Sequence, residues 1–154
     1  MIEPRLVPGV VHLRSQVTAA VTLDRLEALV RARGLTVFAR IEFSRDAEAV
    51  GLTLPPMAQL VSGNSRAGTP ILAARPAIGL ALPLRALAWE DVQGPSWLSY
   101  EVPEYLAERF GVPAELAGNI GGSGHSVKRR SGSPQAPQDD GAGDPELASP
   151  APCR

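Results

Sequence analysis

Hydrophobic residues recur with two different periods in the first third of the chain, and each period predicts a different element. Between Thr18 and Arg33 the apolar residues recur every three or four positions, which is the spacing of one helix face. Thr18 can cap this helix and Gly34 can end it in a left-handed conformation. The segment 35–43 instead alternates, which is typical of a half-buried strand with one face formed by Leu35, Val37, Ala39, Ile41 and Phe43.

Shorter patterns extend the element order to β-α-β-(turn)-β-α-β-β-α-α. Residues 84–91 and 96–101 predict a hairpin whose loop places Gly94 in the left-handed region and sets Trp89 opposite Trp97. The remaining predicted elements are strands at 10–13 and around 60–61, a helical turn at 44–50, and helices at 71–74, 104–109 and 114–120. Because a hairpin requires an antiparallel pair, the order predicts an α+β fold with helices on one face of a mainly antiparallel sheet.

The last 34 residues differ in composition from the rest. Residues 121–154 contain six glycines, five prolines and five serines, with few apolar residues among them. A segment with so little apolar surface cannot offset the entropy lost on ordering. We therefore predict a single domain over residues 1–120 and a disordered tail over residues 121–154.

Charge and cysteine content exclude several functions. The chain has 15 basic and 16 acidic residues, a formal net charge of −1, so neither nucleic acid nor an anionic membrane surface is an expected partner. Cys153 is the only cysteine, and His12 and His125 are the only histidines, so we expect no disulfide, no metal site and no cofactor. No apolar run is long enough to span a membrane, and the expected location is the cytoplasm.

The segment 63–70 carries the best candidate binding site. Thr69 before Pro70 predicts the cap and first turn of a helix, whose free N–H groups attract anions. Two glycines permit close backbone approach, and Arg66 supplies a planar cation. These features predict a site for a small anionic or polar ligand at Asn64, Arg66, Gly68 and Thr69. The alternative is an ordinary strand-to-helix turn, since the spacing is not that of a P-loop.

Other polar and aromatic residues favour structural roles. Trp89 and Trp97, facing each other on a hairpin, favour a core or dimer interface, and we assign them to a dimer interface. Glu90 and Asp91 point to opposite faces of a strand, so they cannot act as a catalytic pair. Arg40 and Glu42 predict a surface ion pair. No residue is therefore assigned a catalytic role.

Over about residues 10–120 the chain resembles the bacterial domain of unknown function 302 family. The motifs that carry this resemblance include Gly34-Leu-Thr-Val-Phe-Ala-Arg-Ile41, Arg66-Ala-Gly-Thr-Pro70, Ala88-Trp-Glu-Asp91 and Trp97-Leu-Ser-Tyr100. The resemblance implies a small α+β domain that is dimeric and has no agreed activity. Phe43 and Phe110 stand where the family usually has histidines, so this chain lacks both imidazoles.

Three functional hypotheses follow from these observations. The first is a non-catalytic homodimeric module that binds a small anionic or polar ligand through the segment 63–70. The second is a structural or protein-interaction domain without a ligand, which pairs through the tryptophan hairpin. The third, an enzyme, is the least favoured because the sequence offers no identifiable catalytic base.

Overall fold

The computed structural model describes Pro4 and residues 6–121. Five strands and five α-helices are found in these residues. In chain order they are β1 (Val10–Ser15), α1 (Ala19–Ala32), β2 (Thr36–Ile41), α2 (Phe43–Ala49), β3 (Met57–Gly63), α3 (Ser65–Ala74), β4 (Leu84–Glu90), β5 (Ser96–Glu101), α4 (Pro103–Arg109) and α5 (Ala114–Gly121), with a 3-10 turn at Pro76–Leu80 after α3. The predicted tail lies outside the described residues, apart from Gly121.

The strands form one antiparallel sheet in the order β1-β5-β4-β3-β2. The first and last strands of the sequence are therefore neighbours, and β1 and β2 form the two edges. The predicted α+β class, with an antiparallel sheet, is confirmed. The predicted hairpin register is also confirmed, because Trp89 pairs with Trp97 and Leu87 pairs with Ser99.

Two apolar clusters lie on the same face of the sheet. Helix α1 contributes Leu23 and Val30 to one cluster, against Leu60 of β3 and Ala88 of β4. The second cluster joins α3, α4, α5 and the 3-10 turn around Leu84, which shares its strand face with Ala88. Neither cluster includes a side chain from the opposite face, so the helices that build them pack on one side of the sheet, as predicted.

Strand β2 departs from the predicted alternation. Val37 pairs with Ser62 but Ala39 pairs with Val61, so Phe38 is an extra residue in a β-bulge. The bulge puts Val37 and Ala39 on opposite faces, and the prediction that they share one is wrong. Phe43 does not belong to the strand either, because it begins α2.

Two further local predictions are wrong. Helix α3 begins at Ser65 with Asn64 as its N-cap, so Thr69 is not a cap and Pro70 lies inside the helix. Gly94 is not among the glycines with positive φ, and the hairpin loop is instead closed by a hydrogen bond from the Gly94 N–H to the Asp91 carbonyl. The predicted cap of α1 is confirmed, because the Thr18 hydroxyl accepts from the Val21 N–H at 3.3 Å.

Among the described residues, no helix has both the length and the apolar character required to cross a bilayer.

Candidate functional site

A cavity of about 250 Å³ lies where β3 ends and α3 begins. Its polar wall comes from the first turns of α3 and from the last turn of α5. Its apolar wall comes from the β2 bulge, the segment before β4, and the buried sides of α3 and α5. The lining residues are Phe38, Gly63, Asn64, Ser65, Gly68, Thr69, Ile71, Leu72, Leu82, Pro83, Leu84, Asn119 and Ile120.

Asn64 organises the polar wall of this cavity. Its side-chain oxygen accepts a hydrogen bond from the Arg66 N–H at 2.9 Å, and its carbonyl accepts from the N–H groups of Ala67 and Gly68 at 3.1 and 2.9 Å. The Thr69 hydroxyl donates to the Ser65 carbonyl at 2.7 Å. Three N–H donors at the start of α3 are thus bound within the protein. The turn after Thr69, where the sequence analysis expects free N–H groups, lies inside α3.

Three of the four residues predicted to bind a ligand line this one cavity. They are Asn64, Gly68 and Thr69. Arg66 belongs to the same turn, but it is exposed and does not line the cavity. The predicted segment therefore forms part of the cavity wall, but the predicted cation, Arg66, does not.

Sequence reasoning missed the apolar wall. Phe38 reaches the cavity from the β2 bulge and is 48% exposed, and Leu72 on α3 is 38% exposed. Ile71 and Ile120, each 1% exposed, form the inner part of the wall. These residues come from three separate parts of the chain, and no local motif links them. The sequence could have placed Phe38 at the cavity only on the assumption that the alternating strand contains a bulge.

A second group of residues lies on the sheet face away from α1. The rings of Trp89 and Trp97 stack with centroids 6.1 Å apart and planes inclined by 22°. The Trp89 indole N–H donates to the Ser99 Oγ at 2.8 Å, and Ser99 Oγ lies 2.7 Å from His12 Nδ1. Sequence reasoning found the tryptophan pair but missed His12 and Ser99, because β1 and β5 are far apart in the chain.

Arg40 holds α1 against β2 through an ion-pair network. Its guanidinium donates to Glu42 and Asp24 at 2.6 Å each, and to Glu27 at 3.2 Å. The predicted pair with Glu42 is thus one part of a larger network. A hydrogen bond from Arg31, followed by those from Arg40, holds the pKa of Glu27 below its ordinary value of 4.5. Hydrogen bonding, first of all to Asp24, raises the pKa of Arg40.

Metal-ligating side chains do not converge in the described part of the chain, where no group of three or more His, Cys, Asp and Glu residues could hold an ion. A second cavity, of about 320 Å³, lies between α1, α2 and β3. Its wall includes the charged residues Glu42, Arg45 and Glu48, and none of the predicted ligand-binding residues.

Comparison with known proteins identifies relatives over most of the chain. The chain is 38% identical over 111 residues to "Fluoride-specific ion channel FluC 1" of Brucella suis biovar 1, and equally identical over the same length to "Fluoride-specific ion channel FluC 2" of Brucella melitensis biotype 1. Each match covers 71% of this chain, but only 44% and 41% of the respective relatives. The chain thus spans less than half the length of these curated relatives.

A solved structure shows the same fold. The crystal structure of an uncharacterized conserved protein DUF302 from Bacillus stearothermophilus matches with a TM-score of 0.63 and 20% identity. The match covers 74% of this chain and 91% of that protein. The model of the family described as domain of unknown function DUF302 matches residues 11–122, which is most of the chain. The chain therefore belongs to the DUF302 family.

Proposed function

We propose that this domain is a small-molecule binding module whose ligand occupies the cavity between β3, α3 and α5. One observation carries the proposal: Asn64, Gly68 and Thr69, chosen from the sequence for backbone accessibility and polarity, line a single concave site. Ligand sites are usually concave and mostly apolar, with a few polar groups that fix orientation. This cavity has that composition.

The size of the cavity limits the ligand. A volume of about 250 Å³ is just below the range of roughly 300–1,000 Å³ that is usual for drug-sized ligands. The wall rests on Ile71 and Ile120, which are almost completely buried, so its inner surface is held by the core. We therefore expect a compact ligand and little rearrangement of the protein on binding.

The composition of the wall favours binding over catalysis. Among the described residues that line the cavity, the polar side chains are amides and hydroxyls, and none of them titrates near neutral pH. General acid–base catalysis requires such a group within hydrogen-bond reach of the substrate. We accordingly propose a non-catalytic role for this site.

Filling the cavity tests the proposal. Gly68 lines the cavity and has open space where a side chain would project. The leucine side chain of Gly68→Leu is therefore expected to fill the cavity. Gly118→Leu is the matched control, because Gly118 also has open space, lies in α5 and does not line the cavity. Leucine favours the helix over glycine at both positions, so both variants should fold.

Nuclear magnetic resonance titration of the full chain provides the readout. We expect benzamide, benzoate, n-hexanol or hexanoate to shift the backbone amides of residues 63–69 and Asn119. If the probes bind in the cavity, these shifts should disappear in Gly68→Leu and remain in Gly118→Leu. Shifts that persist in Gly68→Leu would show that the cavity is not the binding site. No shift at these amides with any of the four probes would also overturn the proposal.

A second candidate function, as a homodimeric interaction domain, is favoured by the sheet face away from α1. Trp89 and Trp97 are only partly buried there, beside Leu87 of β4 and Met57 of β3. In the curated relatives the matched segment is less than half of a longer protein, which fits a module that works with other parts.

We propose a second copy of this chain as the partner. Arg14 lies on the same face as the tryptophans, and Glu101 lies two strand positions beyond Ser99 on β5. A face that carries both signs around an apolar centre can pair with itself across a two-fold axis. The proposed interface is centred on Trp89 and Trp97.

Sedimentation velocity tests the dimer. The unmodified chain should sediment as a dimer, and Leu87→Arg should shift it to a monomer because a buried unpaired charge is costly. Val92→Arg is the control, since Val92 is 78% exposed in the hairpin loop and lies outside the strand face. Circular dichroism checks that both variants fold. A monomeric unmodified chain at its highest soluble concentration would exclude the dimer.

A further inference from the structure

The described part of the chain contributes no charged side chain to the wall of the proposed cavity. None of the thirteen described residues that line it is Asp, Glu, Lys, Arg or His. The polar groups are the neutral side chains of Asn64, Ser65, Thr69 and Asn119, and the rest of the wall is aliphatic, aromatic or backbone. A buried carboxylate or phosphate is stable only where a cation or several hydrogen bonds replace its water.

The start of α3 does not compensate for the missing cation. A helix N-terminus binds anions because its first N–H groups have no partner within the helix. Here the N–H groups of Arg66 and Ala67 already donate to the side chain and carbonyl of Asn64, and the Gly68 N–H makes the first regular helical bond to the same carbonyl. An anion would have to displace these hydrogen bonds, so the helix terminus offers it little net gain.

The nearby arginines also lie elsewhere. Arg66 is exposed and is not among the residues that line the cavity. The Arg75 guanidinium donates to the Gly111 carbonyl at 2.8 Å, and that of Arg85 donates to the Leu80 carbonyl at 3.1 Å. Among these, Arg66 is the one whose long side chain could be turned toward the mouth of the cavity, and a test must therefore include it.

Neutral hydrogen-bonding groups find suitable partners in the same wall. The Thr69 hydroxyl donates to the Ser65 carbonyl, and its oxygen keeps lone pairs that can accept from a ligand. Phe38 and Leu72 are both large and partly exposed at the cavity, so a ligand with an apolar body would remove their surface from water.

Resting on the proposed function, we infer that the cavity selects an uncharged molecule, with an apolar body and one hydrogen-bonding group, over its anionic counterpart of the same shape. Burial of the apolar body provides the affinity, and the rim of Asn64 and Thr69 orients the polar group. From the sequence-based expectation of a small anionic or polar ligand, the inference keeps the polar ligand and rejects the anionic one, because Arg66 does not line the cavity.

Two matched pairs of probes test this inference on the full chain at pH 7. Benzamide and benzoate have nearly the same shape, as do the chains of n-hexanol and hexanoate, and each pair differs in charge. Dissociation constants come from the amide shifts of residues 63–69. The neutral member of any pair that binds should bind at least tenfold more tightly, and lowering the pH should strengthen binding of the acid as it becomes neutral.

The outcomes separate the inference from the proposed function. If an anion binds as tightly as its neutral partner, or more tightly, the inference is overturned while the binding function stands. Loss of that anion binding in Arg66→Gln would then assign the charge contact to Arg66. If none of the four probes shifts these amides, both the inference and the proposed function are overturned. Retention of neutral-probe binding in Arg66→Gln is expected.

Discussion

Substitution of Gly9 by any other residue is expected to destabilise the fold for two separate reasons. Its φ is +76°, and a Cβ at this position would overlap the ring of Tyr105 on α4. Gly34 has a similar φ of +72°, but nothing lies within 4 Å of its ideal Cβ. The two glycines therefore share the backbone requirement and differ in the packing requirement.

This difference predicts unequal costs for two alanine substitutions. Gly34→Ala should lower the free energy of unfolding by about 1–2 kcal/mol, which is the cost of a left-handed conformation with a Cβ. Gly9→Ala should cost a further 1–3 kcal/mol or so, because it also overpacks the Tyr105 ring. Urea unfolding measures both. Equal losses would show that Tyr105 moves aside without cost, and adding Tyr105→Ala should reduce the excess loss in Gly9→Ala.

Glu90 caps a helix from a distant part of the sequence. One of its carboxylate oxygens accepts the N–H of Ala19, the first residue of α1, at 2.8 Å. Because a negative charge at a helix N-terminus is favourable, Glu90→Ala should lower the free energy of unfolding by about 0.5–2 kcal/mol. Glu90→Gln should lose less, since its amide oxygen can still accept. Denaturant unfolding measures the stability of the unmodified chain, Glu90→Ala and Glu90→Gln. Equal stability of all three would contradict the capping role.

At the scale of elements, the helix and strand patterns that depend on local spacing were predictable. Helix α1, its Thr18 cap and the pairing of β4 with β5 follow from periodicity and loop length. The start of α3 was not predictable in this way, because Thr69 followed by Pro70 is a stronger local signal for a helix start than Asn64. Proline favours the first turn, but the side-chain cap at Asn64 begins the helix five residues earlier and the helix tolerates the proline.

The β2 bulge could not be predicted for a different reason. Apart from Phe38, the residues of the segment 35–43 alternate between apolar and polar, so the sequence of β2 alone favours a regular strand. The register is decided by pairing with β3, where Ser62 and Val61 meet Val37 and Ala39. The sequence could therefore point to Asn64, Gly68 and Thr69, which line the cavity, but not to the apolar wall that Phe38 completes.

The contact between α1 and β2 should weaken in acid. The pKa of Glu27 is held below 4.5 in the folded protein, so its stabilising effect is complete above that pH and is lost as the pH falls through the folded value. Glu27→Gln removes the effect at every pH. The stability difference between the two proteins, expected to be below about 1 kcal/mol for an exposed pair, should therefore shrink below pH 4.5.

Chemical denaturation over a series of pH values measures this difference. Arg31→Gln should reproduce part of the loss, because the Arg31 hydrogen bond is the main cause of the lowered pKa. A stability difference that stays constant from neutral pH down through the acid range would contradict the assignment.

At the scale of the whole molecule, the sheet depends on its last strand. β5 lies between β1 and β4, so a chain that ends at Gly94 keeps four strands but leaves β1 without a neighbour. It also lacks Leu106 and Ile120 of the second apolar cluster. We expect this truncated chain to show no cooperative thermal transition by circular dichroism. A chain that ends at Gly121 should melt close to the full chain, since residues 122–154 contain few apolar side chains. Cooperative melting of the shorter chain would show that β5 is dispensable.

The position of β5 also sets when the domain can form during synthesis. His12 and Ser99, which contact each other across β1 and β5, are separated by 87 positions. At translation rates of about 5–20 residues per second, Ser99 of β5 is synthesised roughly 4–17 seconds after His12 of β1. Contacts so distant in sequence also slow folding after release. Trp89 stacks on Trp97 only when β5 joins the sheet. Tryptophan fluorescence should therefore change when the domain is completed and should not change during earlier stages of folding.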